Sequence, residues 1–254
     1  MFEVAGDIAL WLLLAAFLAG FVDAIAGGGG LISVPALLLA GATPIEALAT
    51  NKLQGTFGAG TAMITYARAG QVRLQDQLSM AAISAVAGAA GALTAHLMPV
   101  EVLRLIMPAI LVAVALFFAF KPGLTDDARV ARMTPAMFSF TAVPLIAAYD
   151  GFFGPGTGSF FMLGFVMLAG YGVLQATAHT KLLNFASNLG SLVVFAASGS
   201  MWWGMGFGMA VAQIAGAALG ARLALRVGSR LIKPLLVITS TAMALRLIWQ
   251  ALQA

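Results

Sequence analysis

The stretch Asp23-Ala24-Ile25-Ala26-Gly27-Gly28-Gly29-Gly30 closes an apolar run at 10–22 and opens a second, shorter one at 31–40. One glycine is enough to cap a helix, and four in a row give up much backbone order. In a membrane the pattern has a sharper reading. It is a helix broken on purpose, with free backbone N–H groups where a ligand can approach.

Composition supplies the membrane. The chain has 254 residues, of which 61% are hydrophobic and 9% charged, against about 25% charged in an ordinary soluble domain. Such a chain cannot cover a soluble surface, so it reads as an all-α integral membrane protein. At roughly 20 apolar residues per span there is room for about eight to ten spans. The absence of cysteine excludes disulfides and thiolate metal sites. The net charge of +4 does not point to nucleic acid, because the basic residues are scattered or sit in short loops. Glu3 and Asp7, with no basic residue, precede the first apolar run. A cleaved signal peptide wants a basic start, so the first segment reads as retained.

Apolar segments fall at 8–26, 31–41, 46–66, 77–97, 101–120, 133–150, 158–170, 176–198, 203–221 and 234–251. The polar stretch 121–132 reads as a cytoplasmic linker between a first repeat, 1–120, and a second, 133–254. Segments 31–41 and 158–170 are too short to span as straight helices and read as half-helices or re-entrant pieces. Basic residues cluster at Arg68 and Arg73, at Lys121, Arg129 and Arg132, and at Arg222, Arg226, Arg230 and Lys233. The positive-inside rule puts those three loops in the cytoplasm. The last cluster also suits anionic membrane lipid.

The opening stretch has a partner. In the second half Asp150 is followed by Gly154-Pro155-Gly156-Thr157-Gly158, and Ala178-His179-Thr180-Lys181-Leu182 answers Ala49-Thr50-Asn51-Lys52-Leu53. Each acid precedes the first glycine of its cluster, Gly27 or Gly154, by four residues, and the acid-to-lysine gaps are 29 (52 − 23) and 31 (181 − 150). Each half holds five segments, an odd number, so the second enters the membrane inverted. Inverted repeats with broken helices at 27–30 and 154–158 are a transporter architecture, with the site near the midplane where the breaks meet.

Two readings stand beside each candidate. Lys52 and Lys181 either snorkel to the interface or face one cavity and bind anion oxygens by charge-assisted hydrogen bonds. Gly28, Gly29, Gly30, Gly156, Thr157 and Gly158 either make tight turns or expose helix N-termini, which bind anions. Asp23 and Asp150 either pair with a lysine or with backbone N–H groups, or carry a coupling proton. His179 is a third proton candidate. Asn51, Gln54, Thr180 and Asn184 either line the cavity or bridge helices. No metal cluster, cofactor motif or enzyme motif is present in the sequence.

Gly20-Phe21-Val22-Asp23 with 27–30 and Pro35, Ala49-Thr50-Asn51-Lys52, the segment 149–158, Thr180-Lys181 and Asn184 resemble the TauE/SafE family of membrane permeases, the sulfite exporter family. The resemblance covers essentially the whole chain. It implies a multi-pass protein of the bacterial inner membrane that exports small organosulfur anions, such as sulfite or sulfonates, by alternating access. An anion channel and a permease for small carboxylates are the alternatives. A homo-oligomer is compatible with the sequence.

Overall fold

The computed structural model describes residues 4–119 and 130–228. Among these the regular structure is helical, with no strand. The first half comprises α1 (Gly6–Ala26), α2 (Gly30–Leu39), α3 (Pro44–Arg68), α4 (Leu78–Leu97) and α5 (Val100–Ala119). The second comprises α6 (Pro135–Phe140), α7 (Ala142–Phe152), α8 (Thr157–Met167), α9 (Val173–Ser198) and α10 (Trp203–Val227). Residues 121–129 of the expected linker, Arg230, Lys233 and the apolar segment 234–251 lie outside the described residues.

Local chemistry sets the element ends. Thr43 caps α3 in a capping box: the Glu46 N–H donates to Thr43 Oγ1 at 3.4 Å, and the Thr43 N–H donates to Glu46 Oε2 at 2.7 Å. Pro44, whose missing N–H costs nothing there, takes the first helical position. The segment expected at 133–150 is two helices, broken at Thr141. The cause is Pro144, whose ring would collide with the Phe140 carbonyl in a continuous helix. At 10 and 11 residues, α2 and α8 reach about 15–17 Å, roughly half the ~30 Å hydrocarbon core.

Polarity is reversed relative to a soluble protein. Leu10, Val86, Leu105 and Val211 are 69–77% exposed, whereas Lys52 and Lys181 are wholly buried. Among the described residues, three helical stretches are long and apolar enough to cross a membrane: Gly6–Ala26, Leu74–Leu97 and Trp203–Val227. At 25 and 26 residues, α3 and α9 are as long, but they bury a lysine and a polar face instead. The chain is a membrane protein, with its apolar surface turned to lipid and its polar residues turned inward.

Packing is reciprocal. Helix α1 lies along α10 and α7 along α4; α3 packs on α10 and α9 on α4; α3 and α9 pack on each other between them. Glycines permit the close crossings. A Cβ at Gly91 would lie 2.8 Å from the Phe152 nitrogen, and one at Gly216 would lie 2.9 Å from that of Phe21, the small-residue contact typical of membrane helices. The short helices α2 and α8 dock against α3 and α9 respectively, which brings both glycine breaks to the centre.

Candidate functional site

Both breaks depend on left-handed backbone that glycine alone adopts without strain. Gly27 and Gly28 have φ of 72° and 116°; Gly154 and Gly156 have 94° and 87°. The breaks touch each other. Ser159 Oγ donates to the carbonyls of Ala26 and Gly27 at 2.9 and 2.8 Å, and a Cβ at Gly158 would lie 2.8 Å from the Gly27 Cα. Two tyrosines hold the flanking backbone: Tyr66 donates to the Ala24 carbonyl at 2.9 Å and Tyr149 to that of Pro155 at 2.6 Å.

The charges cross between the halves. Lys52 of α3 donates to Asp150 Oδ1 of α7 at 2.8 Å. Lys181 of α9 donates to the backbone carbonyl of Asp23 in α1 and lies 3.5 Å from Asp23 Oδ2. Neither lysine snorkels. A buried ammonium without a counter-charge is strongly disfavoured, so each is neutralised on the spot. The remaining carboxylate oxygens also have partners. Asp23 Oδ1 accepts from the N–H groups of Gly28 and Gly29 at 3.1 and 3.3 Å. Asp150 Oδ2 accepts from Ser187 Oγ at 2.5 Å.

Between the breaks lies a cavity of about 30 Å³, the space of about one water. Its walls are Gly28, Gly29 and Gly30 from the first break and Gly154, Gly156, Thr157 and Gly158 from the second. Asp23, Asp150, Asn51, Gly55, Asn184, Asn188 and Gln213 complete it. The first N–H groups of a helix have no acceptor within it, and α2 and α8 both begin at this cavity.

Several expected site residues stand elsewhere. Lys52 and Lys181 do not line the cavity; they sit behind the aspartates, and a Cβ at Gly154 would lie 2.8 Å from Lys52 Nζ. The expected picture of two ammonium groups facing the cavity is therefore corrected to two ion pairs that present their carboxylates to it. Gln54 and Thr180 are buried away from the cavity, each with an oxygen lacking a partner. His179 lies 2.5 Å from Gln77 through Nδ1 and stacks on Tyr171 at 4.7 Å, also away from the cavity. The Thr157 hydroxyl is spent on the Gly154 carbonyl at 2.7 Å. Gly55, Asn188 and Gln213 were absent from the expected site. Helical spacing would have found the first two, because Gly55 lies three residues beyond Lys52 and Asn188 seven beyond Lys181, each on its lysine's face.

A membrane protein with two broken helices meeting over a small polar cavity belongs to the class of membrane transport proteins. Residues 12–247 match the family model for the sulfite exporter TauE/SafE, and the chain belongs to that family. It is 53% identical over 248 residues to the "Probable membrane transporter protein ORF9" of Sinorhizobium sp, covering 98% of this chain and 95% of the relative. It is 44% identical over 240 residues to the "Probable membrane transporter protein YfcA" of Escherichia coli (strain K12), covering 94% and 89%. With a "Probable membrane transporter protein" of Haemophilus influenzae the identity is 39% over 247 residues, 97% of each chain. No solved structure gives a significant match.

Proposed function

We propose that the chain is a multi-pass secondary transporter of the bacterial inner membrane that exports small organosulfur anions, sulfite or sulfonates, by alternating access. One observation carries the anion reading. The first break already holds an anion, because the Asp23 carboxylate rests on the N–H groups of Gly28 and Gly29 with the Lys181 ammonium 3.5 Å away. A helix N-terminus with a nearby cation suits any small oxyanion. At the second break both Asp150 oxygens are taken by Lys52 and Ser187, which leaves the Gly158 N–H of α8 to the substrate.

The cavity holds about 30 Å³, space for about one water. The paired broken helices favour a transporter over a channel. Reciprocal packing of α1 on α10 and α7 on α4 supports two inverted repeats rocking about the touching breaks. A membrane potential negative inside drives an anion outward by ~2.3 kcal/mol per charge per 100 mV, so export needs no further energy source.

The test is flux from proteoliposomes loaded with sulfite, sulfoacetate or a simple carboxylate under an imposed potential. Saturable efflux of the sulfur anions is expected. No flux above protein-free vesicles, or discrete channel openings in a planar bilayer, overturns the reading.

A further inference from the structure

Gln213 lies on α10, outside both breaks and outside the repeated motifs. Its residue is 4% exposed, and it lines the cavity. Among the described residues its side chain makes no hydrogen bond, and its Oε1 is buried without a partner. Nε2 is a donor without an acceptor, and an anion in the cavity can supply one; Oε1, itself an acceptor, gains nothing from an anion. Gln54 Oε1, Gln77 Oε1 and Thr180 Oγ1 also lack partners, but none of these residues lines the cavity.

Two other helices are cut back to seat this side chain. A Cβ at Gly20 of α1 or at Gly58 of α3 would lie 2.7 Å from Gln213 Cγ, and the one at Gly58 would also lie 2.7 Å from Nε2. The slot holds the amide in place. Its neighbours in the cavity are engaged: Asn188 donates to Asn184 O and Oδ1 at 2.7 and 3.1 Å, and Ser33 donates to Asn51 Oδ1 at 2.6 Å. Gln213 is the cavity amide with no partner.

We infer that Gln213 contacts the transported anion and selects three-oxygen oxyanions, sulfite and sulfonates, over carboxylates. Donors reach the cavity from three sides: the Gly30 N–H at the start of α2, the Gly158 N–H at the start of α8, and the Gln213 Nε2 from α10. A sulfonate has an oxygen for each. A carboxylate has two and leaves one donor unpaired, the circumstance in which a polar site discriminates best. A neutral amide also adds no charge that would hinder release. This inference rests on the cavity being the substrate site.

The experiment measures binding of sulfite, sulfoacetate, acetate and propionate by titration calorimetry to wild type, Gln213→Met and Gly55→Val, all purified. Gly55 lines the cavity, and an added Cβ there would lie 3.0 Å from Asn188 Oδ1, so valine fills it. The expected result is roughly ten- to hundredfold weaker sulfite and sulfoacetate binding in Gln213→Met. Carboxylate binding should change by less than about threefold, and Gly55→Val should bind none of the four. If Gly55→Val loses binding while Gln213→Met keeps the wild-type ratio, the role of Gln213 is overturned and the cavity reading stands. If both variants bind like wild type, the cavity reading itself falls. Should Gln213→Met fail to fold, Gln213→Cys decides the matter, because the natural chain contains no cysteine. Thiol labelling slowed by sulfoacetate supports the contact, and labelling at an unchanged rate overturns it.

Discussion

The two breaks share a pattern but differ in what they hold. At the first, Asp23 turns back onto the N–H groups of its own break, and its side chain stays 13% exposed toward the cavity. At the second, Asp150 turns away from its break to Lys52 and Ser187, and it is almost wholly buried. The second pair is a tight clamp. The first is looser, because the Lys181–carboxylate distance is 3.5 Å and the lysine's close partner is a carbonyl. Two copies of one motif have thus separated into a buried pair and a pair partly exposed to the cavity.

The largest effect expected from breaking this contrast is at Lys52. Lys52→Met leaves the buried Asp150 carboxylate without its cation and should cost about 3–5 kcal/mol, read as loss of thermal stability in detergent. Restoring much of it with Lys52→Met/Asp150→Leu would confirm that the penalty belongs to the stranded charge. Lys181→Met should cost less, about 2 kcal/mol, because Asp23 keeps two N–H donors. Equal losses at the two lysines would erase the distinction between the pairs.

Asp23→Asn sharpens the contrast further. It frees the first break and Lys181 from a competing carboxylate, so sulfite or sulfoacetate affinity should rise roughly tenfold. Ser187→Ala removes one hydrogen bond from Asp150 and should cost about 1 kcal/mol with anion affinity unchanged. Smallest of all is Thr180→Val. Its hydroxyl is buried without a partner and away from the cavity, so stability should hold or rise slightly and affinity should not move.

Much of the fold could be read from the residues. Apolar runs fixed helix positions because lipid demands long apolar faces, and the two short segments at 31–41 and 158–170 correspond to α2 and α8 within a few residues. The glycine runs marked both breaks because little else explains four glycines behind an acid. Partner choice was not legible. Asp23 and Lys52 share a half and stand 29 residues apart, yet each pairs with the other half, because α3 and α9 cross at the centre. Sequence neighbours of the lysines misled for a geometric reason. His179 and Gln54 lie two positions from a lysine, about 200° around the helix, and so point elsewhere. Gln213 carried no mark at all. It is a single amide in a glycine- and alanine-rich helix, and its meaning comes from glycines on two other helices.

The crossed ion pairs bear on how the protein is made. Lys52 leaves the ribosome 98 residues before Asp150, and Asp23 leaves 158 residues before Lys181. At about 5–20 residues per second, Lys52 waits roughly 5–20 s for its partner. Through that interval it has no counter-charge of its own and carries an insertion cost of about 2.5–3.5 kcal/mol. That cost falls on the N-terminal half until the C-terminal half supplies Asp150, so the two halves reach their final stability together.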